Sequence, residues 1–514
     1  MAVNSSGSPS GGDGATDVVV VGSGPNGLAA AVTLARAGLG VVVLEAQPTA
    51  GGGARTLALG LADGVVHDVC SAVHPMAWAS PFFRAFDLAA RGVELLVPEV
   101  SYAQPLPGAR AGLAFHDLDR TVEHLGADGA PWRALVGRLS QHWPHVARAA
   151  LFDKRSVPAG LLPGGALTAA RFGAAVLEQG TRAWDRRFSG DVAPALLTGV
   201  AAHAITPMPS LAAAGTALLL ASLAHAPGGW PVPRGGSGAI VAALRADLEA
   251  HGGTVRTDRR VTGVADLPPA RAYLFDTTPR TLLDVLGAQV PASAARALDA
   301  FRYGDAAAKV DFVLSGPVPW AVPEVARAGT VHVGGTRPEM AAAEADVAQG
   351  RHAARPMVLA SDPTVVDPSR AAGGLRPLWT YAHVPRGSDV DVTEAVTAHV
   401  ERYAPGFRDV VVGSRCVPAA HMDHHNENYV GGDIAAGAVS IRQMFARPTL
   451  RWDPYRVPVE AGPLGGAAGP APAVYLCSAS TPPGPGVHGL GGWYAATRAL
   501  RQVFGVRTPP SLAP

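Results

Sequence analysis

The chain has 514 residues, with 42 Lys+Arg against 41 Asp+Glu, a net charge of +1 and 48 % apolar residues. That balance leaves no basic excess for a nucleic-acid partner. Charged residues are only 16 %, against about 25 % in an average globular chain, so the chain can bury a large core and global disorder is excluded.

Cys70, Cys416 and Cys477 form no CxxC, which removes a dithiol centre or a cysteine-rich zinc site and fits a reduced, cytoplasmic setting. Lys154 and Lys309 are the only lysines, so chemistry that needs a lysine has two candidates.

Residues 1–16 are Gly/Ser-rich without an apolar run and read as a disordered leader rather than a signal peptide. DVVVV (Asp17–Val21) predicts a buried parallel strand. GSGPNG follows, then the helix-forming run LAAAVTLARA (Leu28–Ala37) and a second strand, GVVVL (Gly40–Leu44), ending in Glu45. Gly22, Gly24 and Gly27 have GxGxxG spacing. Gly22 permits the tight turn, Gly24 lets backbone approach a pyrophosphate, and Gly27 allows helix and strand to pack closely. Pro25 and Asn26 complete this turn, and the helix N-terminus offers free N–H groups to phosphate. Glu45, followed by Ala46, is placed to accept ribose hydroxyls, and its charge disfavours a 2′-phosphate. Strand, turn, helix, strand and acid in this order predict dinucleotide binding.

Gly51, Gly52 and Arg55 then fall in E-x5-G-G-x-x-R spacing, which resembles an extension found in FAD-binding oxidoreductases. His67, Asp68 and His74 follow in VVHDVCSAVHP, with His74 a candidate for proton exchange near pH 7. Leu211–Ala226 is the most apolar stretch; it is shorter than the ~20 residues of a bilayer span and predicts a buried helix. Gly228–Gly238 and Pro463–Ala473 read as crossings between domains. AAAKVDFVL (Ala306–Leu314) predicts a strand with Val310, Phe312 and Leu314 on one face and Lys309 near its start. The spacing in HMDHHNENY (His421–Tyr429) matches no standard metal set and predicts a solvated loop.

Four further stretches strengthen a resemblance: Trp230–Val264 (a glycine turn, a helix and a strand pair), Tyr273–Leu283, Asn428–Pro458, and Val474–Leu500 (a strand, an open loop and a final helix). Together with the N-terminal motifs they resemble the phytoene-desaturase-like branch of the FAD-dependent amine oxidase superfamily. That branch includes carotenoid desaturases, isomerases and ketolases and retinol saturases. The resemblance implies an α/β fold with an α+β substrate part. A discontinuous Rossmann-type FAD domain (residues 17–75, 230–300 and 465–514) would carry an inserted mixed-sheet and helical substrate domain (76–229 and 301–464).

It also implies site roles. Val261 would meet the adenine, Ser478 and Ala479 would line the ribityl chain and pyrophosphate, and Arg55 would sit near the flavin. Val487, His488 and Gly489 would open the final helix at the flavin ring, Lys309 would hold a water at flavin N5, and His74 and His488 would stand near the ring.

The activity implied is hydride removal from a largely apolar small molecule to flavin N5, with oxygen, a quinone or another acceptor completing the cycle. Entry from a membrane surface would suit the apolar middle of the chain. A flavin-dependent amine oxidase and a redox-neutral isomerase are the alternatives. In the amine oxidases an aromatic residue often opens the last helix, but here that window reads Gly489, Leu490, Gly491 and Gly492. The label "pyridine nucleotide-disulfide", attached to some relatives, finds no support in this sequence: there is no CxxC, and no second GxGxxG directly after a strand to mark an NAD(P) domain.

Overall fold

The computed structural model describes residues 16–151, 153, 164–460, 464 and 471–514. Lys154, residues 1–15 of the expected leader, and residues 463 and 465–470 of the expected crossing lie outside the described residues.

Two sheets organise the chain. The first is built on β1 (Val18–Val21) and β2 (Val41–Leu44), joined by α1 (Pro25–Ala35). Its six strands run in the order Arg456–Val457, Ala473–Leu476, Ala272–Phe275, β1, β2, Thr254–Arg256, and only the first of these is antiparallel to its neighbour. Segments more than 400 residues apart therefore complete one parallel sheet.

Both faces of that sheet are covered, which explains the unbroken valine runs. Val18 and Val20 join a core with α1, the helix Gly238–Ala250 and the C-terminal helix Leu490–Val503. Val19 and Val21 pack on the opposite face with Leu282, Val285 and Leu286. The expected strand pair after Gly252 is a single strand, Thr254–Arg256. Beyond it Asp258 adopts φ 53° and the Arg259 N–H donates to the Glu45 carbonyl, so the chain turns across the end of β2 instead of forming a second strand.

The second sheet has seven strands, in the order Val411–Val417, Ala306–Leu314, Arg376–Val384, Val358–Ser361, Ala328–Val333, Val100–Leu106, Arg110–Phe115. One parallel pair, Ala328–Val333 with Val100–Leu106, makes it mixed. As the alternation predicts, Val310, Phe312 and Leu314 point into one core, with Val396 and Phe407. The other face carries Lys309 opposite Tyr381, Tyr381 opposite Leu359, and Leu359 opposite His332. Against this second face lie helices that include Leu211–Ala224, the apolar stretch, which is buried along most of its length. Among the described residues no helix is long and apolar enough to cross a membrane.

Candidate functional site

The glycine turn is built as its spacing requires. Gly22 has φ 96°, which favours glycine, and a Cβ there would lie 2.9 Å from the Asp276 carbonyl oxygen. A Cβ on Gly24 would lie 2.5 Å from Asp276 Oδ2, and one on Gly27 would be 3.0 Å from the Asp276 Cβ. Gly24 caps α1, and Pro25 and Asn26 begin it. Glu45 Oε2 accepts from Ser23 N–H (2.9 Å) and Ser23 Oγ (2.5 Å), which ties the end of β2 to the turn. Gly51 has φ 124° and its N–H donates to Ser23 Oγ at 3.1 Å.

Two cavities border this turn. The smaller, about 70 Å³, is lined by Glu45, Ala46, Gly52 and Val261 among others. The larger, about 390 Å³, runs from Gly24, Pro25 and Asn26 past Cys70–Met76 to Ala479 and Val487, and onward to His203, Leu219, Trp230, Trp379 and Tyr381. The lining residues common to both are Gly24, Asp276, Asn426 and Asn428. The two spaces therefore meet at the mouth of the glycine turn. A narrow pocket beside the ribose-type acid, a neck at the phosphate turn and a roomy chamber beyond suit an adenine–diphosphate–flavin molecule. The buried Asn26 Oδ1, which has no partner, stands beside the neck.

The other expected residues are placed as follows. His74 lines the large cavity; its Nε2 is 2.7 Å from Ser237 Oγ and its Nδ1 has no partner. Ser237 Oγ donates to the Ser71 carbonyl (2.5 Å), so it accepts from His74 Nε2–H, which leaves Nδ1 bare. Burial pushes the His74 pKa down to about 4, against a smaller opposing effect of Asp68. The ring is therefore neutral at pH 7, and the expectation that it exchanges protons there is corrected. Lys309 is buried and ion-paired to Asp311, with Nζ 5.2 Å from the Trp379 ring centroid. Burial lowers its pKa, opposed by Asp311, Cys70 and Asp68. It stands behind the cavity wall and does not itself line the cavity.

Arg55 is committed to the protein itself: Nε donates to the Gly52 carbonyl (2.8 Å), Nη2 to the His425 carbonyl (2.5 Å) and Nη1 to Thr49 Oγ1 (3.2 Å). Ser478 Oγ donates to the Thr277 carbonyl at 2.6 Å and faces neither cavity, whereas Ala479 lines the larger one. The final helix begins at Leu490, with Gly489 as its cap at φ 69°, and not at Val487 as expected. A Cβ on Gly489 would lie 2.6 Å from Phe82, so the cap is held by close packing. His488 Nδ1 accepts from Leu490 N–H and its Nε2 bonds the Gly484 carbonyl, so this imidazole shapes the loop.

Some residues were missed. In HMDHHNENY, His421 and His424 are exposed, as a solvated loop predicts, but Asn426 and Asn428 line both cavities. Buried Arg447 donates to the carbonyls of Ala435, Gly437 and Ala479, pinning two cavity-lining loops together. Among the described residues no cluster of metal-ligating side chains occurs.

The fold is the α/β fold of a Rossmann-type protein, and its joined cavities suit a dinucleotide. The chain belongs to the flavin containing amine oxidoreductase family, whose model matches residues 26–286, and its cofactor is FAD. A rat protein, pyridine nucleotide-disulfide oxidoreductase domain-containing protein 2, is 24 % identical over 55 % of this chain and 53 % of its own, so the match spans about half of that relative. An uncharacterized protein of Mycobacterium bovis is 28 % identical over 96 % of this chain and 98 % of its own. A putrescine oxidase bound to putrescine superposes with a TM-score of 0.55 at 15 % identity, covering 95 % of this chain and 99 % of that one, a likeness of fold.

Proposed function

We propose that this FAD-dependent oxidoreductase is of the desaturase, dehydrogenase or oxidase type, acts on a largely apolar small molecule, and stands near the phytoene-desaturase-like branch of its family. The observation that carries this reading is the lining of the large cavity. Among the described residues its only carboxylate is Asp276, which sits at the glycine turn, and its far wall is Leu219, Leu220, Trp230, Leu359, Trp379 and Tyr381. An ammonium group desolvated against that wall would meet no counter-charge, which costs several kcal/mol.

In this reading the turn of Gly22, Gly24 and Asn26, with Gly27 packing helix against strand, seats the diphosphate, Glu45, Ala46 and Val261 the adenosine, and Ala479, Val487 and the loop before Gly489 the flavin. FAD, when bound, supplies the hydride acceptor. The protein's part is to exclude water, which the packed segment Cys70–Met76 and the helix Leu211–Ala224 do, and to orient a substrate carbon toward the flavin. Lys309, behind the cavity wall with Asp311 beside it, would act at the flavin only through a water that it holds.

The amine oxidase reading keeps one observation in its favour: Trp379 and Tyr381 meet edge to face at 5.1 Å on the cavity wall, a corner that can receive a cation on its π faces.

The test starts with the absorption spectrum of the purified protein and the identity of the flavin released on denaturation. Anaerobic titration with putrescine, a long-chain primary amine and long-chain polyenes or alcohols follows. Bleaching of the flavin bands by the apolar probes supports the proposal. Bleaching by the amines alone overturns it in favour of amine oxidation.

A further inference from the structure

Asp276 follows the strand Ala272–Phe275 and is 6 % exposed. Its Oδ2 accepts the Gly27 N–H at 2.9 Å, and the same oxygen fills the space that a Cβ on Gly24 would need. The carboxyl group thus lies in the hollow of the glycine turn, on backbone N–H groups that such a turn otherwise turns toward a diphosphate. It is also one of the four residues shared by the two cavities, so a dinucleotide reaching from Glu45 to the C-terminal helix passes directly over it.

The groups packed around Asp276 do not neutralise it. From β2 comes the acid Glu45, from the strand Ala473–Leu476 the thiol Cys477, and from α1 the N–H groups of Gly27 and Gly24. From the segment before Tyr429, Asn428 Nδ2 donates to the Asp276 carbonyl at 2.9 Å. His425, Glu427 and Arg259 line the small cavity, but among the described residues no lysine, arginine or histidine forms an ion pair with Asp276. Burial, with Glu45 adding to it, raises the Asp276 pKa well above the usual carboxylate range, while the Gly27 and Gly24 N–H groups oppose the shift.

We propose that Asp276 is a diphosphate-binding residue that acts in its protonated form, donating its carboxyl hydrogen to the diphosphate of FAD, so that FAD binding takes up one proton wherever the free acid is ionised. No covalent change is involved: ionised Asp276, one proton and FAD give the complex of FAD with the neutral acid. An ionised carboxylate in the same place would face two phosphate charges in a buried neck without a cation, which like-charge repulsion forbids.

The experiment uses the protein stripped of FAD and titrated with FAD, with quenching of flavin fluorescence as the readout, from about pH 6 to about pH 9. The wild type is expected to lose affinity with rising pH, approaching about tenfold per unit once the free carboxyl ionises. Asp276→Asn keeps the shape and removes the charge. It is expected to bind FAD with no such slope and more tightly than the wild type at the alkaline end. Calorimetric titration of the wild type in two buffers of different ionisation enthalpy is expected to show about one proton taken up per FAD on the alkaline side. This measurement stands even if the variant does not fold. Zero proton uptake by the wild type, or an Asp276→Asn protein that keeps the wild-type slope and so points to His425 or another group, overturns the proposal.

Discussion

Arg370→Met tests what holds the cavity-lining segment in place. Asp68 ends the strand Val66–Asp68, immediately before the run Cys70–Met76 that lines the large cavity. Its Oδ1 accepts from Thr56 Oγ (2.7 Å) and from Ser237 N–H (2.8 Å), and its Oδ2 accepts from Arg370 Nη1 (3.0 Å), with both charged side chains 1 % exposed. Arg370 Nη2 also donates to the Val66 carbonyl at 3.1 Å. The methionine leaves the two Oδ1 bonds intact but strands a buried carboxylate without its cation. Such a change costs about 3–5 kcal/mol, more than the ~0.5–1.5 kcal/mol of an ordinary hydrogen bond. If the stranded charge is the cause, adding Asp68→Asn restores at least about 2 kcal/mol, because the amide oxygen still accepts from Thr56 and Ser237 and no charge remains. Urea unfolding followed by both circular dichroism and flavin fluorescence reads the stability and the cofactor release together. A cost below about 1 kcal/mol for Arg370→Met, or a double variant less stable than the single one, would refute the argument.

Gly492→Ala places a Cβ 2.7 Å from the Asn26 carbonyl carbon and 2.9 Å from the Ala30 nitrogen. It should push the C-terminal helix off α1, lowering stability by about 1–3 kcal/mol and weakening FAD retention in a thermal-shift assay; an unchanged melting temperature contradicts the packing. Burial lowers the pKa of His74, His225 and His399 to about 4 and that of His203 to about 3. The stability these neutral rings contribute is complete above the unfolded value near 6.5 and is lost as pH falls from there toward their folded values. The melting temperature should therefore drop on acidification below about pH 6.5, and a flat profile down to about pH 4.5 contradicts the buried, neutral state. Because Lys309→Met alone strands the buried Asp311 carboxylate, the double variant Lys309→Met/Asp311→Asn carries the test: it is expected to retain FAD but to slow reoxidation of the reduced protein by air about tenfold or more, read by stopped-flow absorbance; an unchanged rate excludes Lys309 from reoxidation.

The parts legible in the sequence are those whose physics is local. Valine runs bounded by glycine marked β1 and β2, and GxGxxG between them marked the phosphate turn. Alternation in Ala306–Leu314 set both the strand and its buried face, as the register of that strand confirms. The apolar run from Leu211 gave a helix because it is too short for a bilayer and begins after Ser210, whose hydroxyl caps it. What stayed hidden arises between distant segments. Asp276 is 249 residues from Gly27, whose N–H it holds, and nothing around FDTTP announces the partner. His74 read as a titrating group because the sequence showed its type but not its burial against Ser237. Asn426 and Asn428 were masked by neighbouring histidines, whose exposed rings suited the solvated-loop reading while the two amides face the neck. The start of the last helix moved by three residues because TPPGPG is followed by a loop that His488 closes on itself before Gly489 caps the helix.

The case for an uncharged substrate rests on more than missing acids. His203 lines the cavity, and its Nε2 lies 2.9 Å from Nε2 of His332, so one ring must donate and the other accept. Burial pushes His203 to about 3 and lowers His332 as well, each ring also opposing charge on its neighbours, so the pair is neutral across the physiological range. His332 Nδ1 is buried without a partner. An unpaired buried N–H costs more than an unpaired acceptor nitrogen, which favours His332 carrying its proton on Nε2 and donating to His203. That stretch of the wall then holds polar atoms but no anion, and elsewhere on the lining Arg447 is a buried cation. An ammonium there would gain about 0.5–2 kcal/mol from the Trp379 and Tyr381 faces and lose several kcal/mol of hydration. The same wall receives a hydrocarbon chain with a neutral oxygen function at almost no electrostatic cost, and that difference is the physical ground for proposing an apolar substrate over an amine.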